Sequence, residues 1–223
     1  MKRLRRVSAV MAAFGLAFAL IFTGCPTDGD NNGGGGILNL SGQVYTRTYT
    51  YNDVGATLTF VPFLGTPQVV SSNLGGSGTI SAGGILDFSI GRPDSSHMGR
   101  LVDLFSGEGA MINLGGATFS DDSTMATALS LGTATMGMGR IYECRENGAL
   151  NERIMVFHIF VDRDVTVSHA FHGSEPFSLA FRNGWNAIRL VEEVTRTETD
   201  VFHTVTMSVG DLGYPVRWVM YYR

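Results

Sequence analysis

The pair Asn183-Gly184 sits between two alternating apolar runs in "PFSLAFRNGWNAIRLVEE", and no other stretch constrains the backbone so tightly. Both residues tolerate the positive φ of a type I′ turn, whose twist matches that of the strands it joins. The spacing predicts a β-hairpin in which Arg182 faces Trp185, Leu179 pairs with Ile188, and Phe177 pairs with Leu190. Both strands then present apolar side chains on one face, so turn chemistry and alternation agree.

Other segments carry the same period of two. Leu58 and Phe60 alternate with Thr57 and Thr59, and Leu86, Phe88 and Ile90 alternate with Asp87 and Ser89. The "SAGG" between Ile80 and Ile85 is a turn between strands. "RIMVFHIFV" is apolar on both faces and reads as a central strand. "VFHTVTMSV" places Val201, Val205, Met207 and Val209 on one side, and "YPVRWVMYY" closes the chain as a last strand. Helices are expected only at His97 to Phe105 and at Asp121 to Leu131, the second capped by Asp121, Asp122 or Ser123. Residues 37–223 are enough for one β-rich globular domain, with the Gly-rich patch 106–116 as the one sub-boundary to consider.

The start of the chain has a different character. "MKRLRR" precedes about 16 uncharged, mostly apolar residues from Val7 to Phe22, short of the ~20 that a spanning helix needs. The run ends at small residues and a cysteine, and Phe22-Thr23-Gly24-Cys25 resembles the bacterial lipobox, with Phe22 where a leucine is usual. That resemblance implies a signal peptide over 1–24, a lipid on Cys25, and attachment to a membrane through it. Pro26 to Gly36, all Asp, Asn, Gly and Thr apart from the proline, then reads as the tether of a 25–36 linker segment, spanning about 17–20 Å. Asp28, Asp30, Asn32 and Gly33 match the opening of a calcium loop, but its twelfth position is Asn39 instead of a bidentate glutamate. Loss of Lys2, Arg3, Arg5 and Arg6 with the leader leaves 12 basic against 20 acidic residues, a net charge near −8, with no lysine. The arginines form no stripe, which argues against nucleic acid or an anionic membrane surface as a partner of the folded part.

Motifs for chemistry are sparse. The sequence contains no Gly-x-Ser-x-Gly elbow, HExxH or P-loop, and no cofactor is expected. "DRDVTVSHAFHG" places Asp162, Asp164, His169 and His172 within eleven residues, donor types that suit zinc or another divalent ion if the segment folds back. The same residues also read as a strand-to-strand turn followed by a surface loop. Met136 and Met138 share one strand face and offer thioethers to Cu(I), or simply pack. Cys144 has no partner once Cys25 is lipidated and reads as a small buried hydrophobe. The acidic neighbours Glu192 and Glu193 fall on opposite faces of a strand. Tyr45, Arg47, Tyr49 and Tyr51 line one face of the first strand, either as a binding stripe or as one packed side. Trp185 joins Tyr45, Tyr49 and Tyr51 as a candidate binding-surface residue, or else fills a pocket at the hairpin end or stacks on Arg182.

"LSGQVYTR", "GTISAGGILDFSIGRP", "FVDRDVTVS" and "NGWNAIRL" resemble a layout that recurs in Gly-tethered, spirochaete-type predicted lipoproteins of uncharacterised function. The N-terminal portion resembles the immunoglobulin-like or prealbumin-like modules of exported proteins. The fold expected is therefore an all-β sandwich with at most one or two short helices. The function expected is that of a non-catalytic, lipid-anchored binding or structural module, on the periplasmic face or the cell surface, with a protein or glycan as its partner. The alternative is a metal-dependent envelope enzyme or metal-binding protein using Asp162, Asp164, His169 and His172.

Overall fold

The computed structural model of the protein describes residues 36–52, 55–106, 116–133, 139–146, 152–169, 177–196, 201–210 and 217–221. Residues 1–35, which carry the expected leader, Cys25 and all of the expected tether but Gly36, lie outside them, as do residues 107–115 of the candidate sub-boundary. Sixteen strands occur among the described residues: β1 (Leu38–Asn52), β2 (Gly55–Pro62), β3 (Gln68–Ser72), β4 (Ser77–Ile80), β5 (Ile85–Ile90), β6 (Gly99–Arg100), β7 (Thr118–Phe119), β8 (Met125–Ala128), β9 (Leu131–Thr133), β10 (Gly139–Glu146), β11 (Glu152–Val161), β12 (Val165–His169), β13 (Phe177–Phe181), β14 (Gly184–Arg196), β15 (Val201–Val209) and β16 (Arg217–Tyr221). One 3-10 turn (Ser95–His97) and one α-helix, α1 (Leu101–Phe105), accompany them. The fold is all-β, as the alternation predicts, and sandwich-like, as the resemblance implies.

Seven strands close on themselves. The order β10-β16-β1-β5-β4-β3-β9 returns to β10, because β9 also pairs with β10 from Thr133↔Gly139 to Leu131↔Ile141. All these pairings are antiparallel except β1 with β16, which run parallel from Val44↔Trp218 to Thr46↔Met220. Val44, Val70, Ile80, Leu86, Phe88, Ile141, Trp218 and Met220 fill the ring as one apolar cluster. The strict alternation of β5 follows from this, with Leu86, Phe88 and Ile90 inward and Asp87 and Ser89 outward. The "SAGG" turn forms as expected, and Gly84 is required there. Its φ is +79°, and a Cβ would run into the Phe63 carbonyl.

The far half of β10 pairs instead with β11, which continues to β14 and β15. A smaller sheet, β13-β12-β7, and α1 cover the other side of this extension. Leu101, Phe105, Ile159, Val161, Val167, Leu179, Phe181, Ile188 and Met207 form the second core between them. β11 is central, paired with β10, β14 and β8, and buried on both faces towards its end, as its unbroken apolar run predicts.

Two local expectations are overturned. The Asn183-Gly184 pair does not make a hairpin. β13 pairs with β12, from Phe177↔His169 to Phe181↔Val165, while β14 pairs over ten residues with β11. The chain thus crosses from the small sheet to the large one at this turn, and neither Leu179 with Ile188 nor Phe177 with Leu190 is a strand pair. Gly184 does take the positive φ that the motif foretells, +109°, but the turn is held by Asn186. Its side-chain oxygen accepts from the Arg182 N–H at 2.9 Å, and its amide donates to the carbonyls of Arg182 and Gly184 at 2.7 and 2.9 Å. Ten ladder pairs with β11 outweigh the few that a short hairpin supplies, so non-local pairing wins over turn propensity.

Nor is Asp121 to Leu131 a helix. Asp121 accepts from the Ser123 N–H at 2.8 Å and its hydroxyl at 2.6 Å, a local turn. Met125–Ala128 then join the sheet, with Ala126, Thr127 and Ala128 opposite Val161, Phe160 and Ile159. The helix expected over His97 to Phe105 shortens to α1, because Gly99 and Arg100 pair with β8 and the Leu101 N–H donates to the Thr124 carbonyl.

Candidate functional site

The Asp/His segment lies along β12 and the corner before it. Asp162 and Asp164 are braces at this corner. Asp162 accepts from the Met125 N–H at 3.0 Å and from Arg163 at 3.0 and 3.1 Å, while its own N–H donates to the Met125 carbonyl. Asp164 accepts from the Asn183 N–H at 2.8 Å and from Arg182 at 3.0 Å. Arg163 also reaches Asp121 and Ser123, so one guanidinium ties its own corner to the turn before β8. Burial raises the Asp162 pKa, but the Arg163 and Met125 hydrogen bonds outweigh it and the group sits below the usual carboxylate value. The Asn183 N–H, with Arg182, lowers Asp164 in the same way.

His169 sits at the other end of β12, roughly 16 Å from Asp164 at ~3.3 Å per residue. It is buried, its ring edge-on to Phe177 at 5.7 Å. The structure therefore does not bring Asp162, Asp164 and His169 to a common point, because an extended strand separates the carboxylates from the imidazole. His172 lies outside the described residues. Among those residues no three His, Cys, Asp or Glu side chains gather in a group that could hold a metal. Met136, Met138 and the Asp28 to Gly33 segment also lie outside them. Cys144 is on β10 opposite Met155 and Arg217.

The first-strand tyrosines occupy one face, as the alternation predicts, with Tyr45, Tyr49 and Tyr51 opposite Pro62, Leu58 and Ala56 of β2. The side chains of Tyr49 and Tyr51 lie outside the description. Leu58, on their face, is buried, so the stripe is not open along its whole length. Tyr45 is half-buried, and the Arg217 guanidinium lies over its ring at 5.1 Å and over the Phe60 ring at 4.8 Å. Each such contact contributes about 0.5–1 kcal/mol at an exposed site. Trp185 neither stacks on Arg182 nor faces outward. Its ring meets Phe160 edge-on at 5.5 Å and its indole N–H donates to the Gly91 carbonyl at 3.1 Å, fastening β14 to the segment after β5.

Two features escape a sequence reading. Arg217 joins Tyr45 and Phe60 only because β16 is inserted beside β1, from which it is distant in the chain, and no local signal announces it. A hollow of about 210 Å³ is lined by Glu152, Ile154, Arg189, Val191, Glu193 and Thr206, with Glu152 directly opposite Glu193. It is small beside the ~300–1,000 Å³ of ordinary ligand pockets. Glu192 faces the opposite side, across from Arg153, as strand alternation predicts. Comparison of the chain with protein-family models, with curated proteins and with solved structures found no match.

Proposed function

We propose that this chain is a lipid-anchored protein of the cell envelope whose β-rich domain serves as a non-catalytic binding or structural module. The observation that carries the reading is the segment Val7 to Cys25, an uncharged run too short to span a bilayer that ends at a lipobox-like cysteine and passes into a Gly-rich tether. One acyl chain gives only marginal membrane binding, whereas a diacylglyceryl cysteine carries enough buried methylene, at ~0.8 kcal/mol each, for stable attachment. The use of Asp121, Asp162 and Asp164 as loop braces supports a structural rather than a chemical role for these carboxylates.

Metabolic labelling with an alkyne fatty acid tests this reading. Wild type is expected to take up label and sediment with membranes, and Cys25→Ala to lose both properties. An unlabelled wild-type chain in the soluble fraction would overturn it. Proteinase K treatment of intact and lysed cells then assigns the domain to the cell surface or the periplasm.

A further inference from the structure

We propose that the outward patch of Tyr45, Phe60, Pro62, Leu64, Ile85 and Arg217 rests on the surface of the bilayer that holds the Cys25 lipid. The inference rests on the lipid-anchor reading above. Strand register assembles the patch. Tyr45 is opposite Pro62, Phe60 is opposite Arg47, and Ile85 is opposite Gln43, so Tyr45, Phe60, Pro62 and Ile85 share one outward face across β2, β1 and β5. Arg217 reaches that face over Tyr45 and Phe60. Leu64 is carried to it by its neighbours, since the Phe63 N–H donates to the Val44 carbonyl and the Gly65 N–H to that of Ala82, in the turn just before Ile85.

Exposure and chemistry point to one kind of occupant. Leu64 is 75% exposed and Ile85 47%, large apolar side chains left in water beside two half-buried rings. Side chains of this kind, with an arginine at their margin, suit the boundary between acyl chains and phosphate headgroups, where apolar bodies enter and a guanidinium pairs with phosphate. Asp87, one outward position further along β5, marks the limit of the patch. The chain is negative overall and Arg217 is a single charge, so the contact rests on the apolar side chains, with the guanidinium as a local partner for one phosphate rather than a source of long-range attraction.

Reach is satisfied as well. The tether joins the domain at Ile37, and its eleven residues span about 17–20 Å. Gln43 and Tyr45 lie roughly 20–26 Å further along β1. Anchor and patch can therefore meet the same bilayer together. Tethering supplies an effective concentration of order mM, enough to occupy a contact too weak to hold a free protein.

The full lipidated chain carrying Leu64→Trp, Ile85→Trp or Val205→Trp tests this in vesicles of phosphatidylethanolamine and phosphatidylglycerol, with and without bromine on the acyl chains. Val205 is a control, 46% exposed on β15 and five strands from β1. Flotation with the vesicles reports the anchor, and quenching relative to wild type, which carries Trp185 and Trp218, reports the patch. The emission added by the Leu64→Trp and Ile85→Trp probes is expected to fall about twofold in brominated vesicles, for side chains about 5–10 Å into the boundary. That of the Val205→Trp probe is expected to stay unchanged. Floating vesicles without quenching at 64 and 85, or with equal quenching at 205, would overturn the patch and leave the anchor standing. Failure to float would overturn the anchor, and the patch with it.

Discussion

At the scale of single residues, Asn186 does more for this fold than the turn pair that precedes it. It is 8% exposed, and its amide group closes three hydrogen bonds around the crossing between the two sheets. Truncation to alanine strands an N–H and two carbonyls in a poorly hydrated corner, so Asn186→Ala is expected to lose about 2–3 kcal/mol in urea unfolding. Arg182→Ala should hardly move the midpoint, because its pairing with Asp164 is exposed on both sides and its backbone bonds to Asn186 survive. Equal midpoints for Asn186→Ala and wild type would refute this role. The sequence shows Gly184 clearly, since a positive φ is a local demand. The task of Asn186 is not legible in it, because a side chain folding back onto residues 182 and 184 matters only once the flanking strands have gone to different sheets.

At the scale of elements, the corner joining β8, β11, β12 and β14 is braced by carboxylates whose charged form the fold prefers. Asp121 is held below its usual 3.8 by the Ser123 hydroxyl and N–H, with Arg163 adding to them, and Asp164 by the Asn183 N–H and Arg182. In Asp162 burial acts the other way and is outweighed. A carboxylate with a depressed pKa in the folded state contributes stability that is complete above the unfolded value and is lost as pH falls through the folded one. Thermal melts should therefore hold steady down to pH values near 3.8 and drop below them. The pair Asp162→Asn with Asp164→Asn should lower stability at neutral pH and flatten the acid limb, and an acid limb as steep as that of wild type would count against the braces. Strand identity is legible in alternation for β5 and in an unbroken apolar run for β11. The alanines and leucines of 121–131 suit a helix, but the place of this segment beside β11 rewards a strand.

At the scale of the whole molecule, two apolar cores share one sheet. β10 pairs on one side with β16, and on the other with β9 in its first half and β11 in its second, so neither core loosens without breaking the ladder that supports the other. Phe88 in the ring and Phe181 under the small sheet are both 1% exposed. Phe88→Ala and Phe181→Ala should each cost about 3–5 kcal/mol and shift the same single unfolding transition. Two transitions, each moved by one variant only, would show the cores to be separate units. The sequence by itself determined that the chain is β-rich, which side chains of β5 point inward, that β11 is central, and that Gly184 turns, because side-chain period and backbone conformation are local properties. Tertiary structure alone decided that β16 lies parallel beside β1, that β13 and β14 part company at a motif suited to a hairpin, and that Arg217 lies over Tyr45 and Phe60. Those outcomes depend on which distant edges remain open for pairing, a quantity no window of sequence contains.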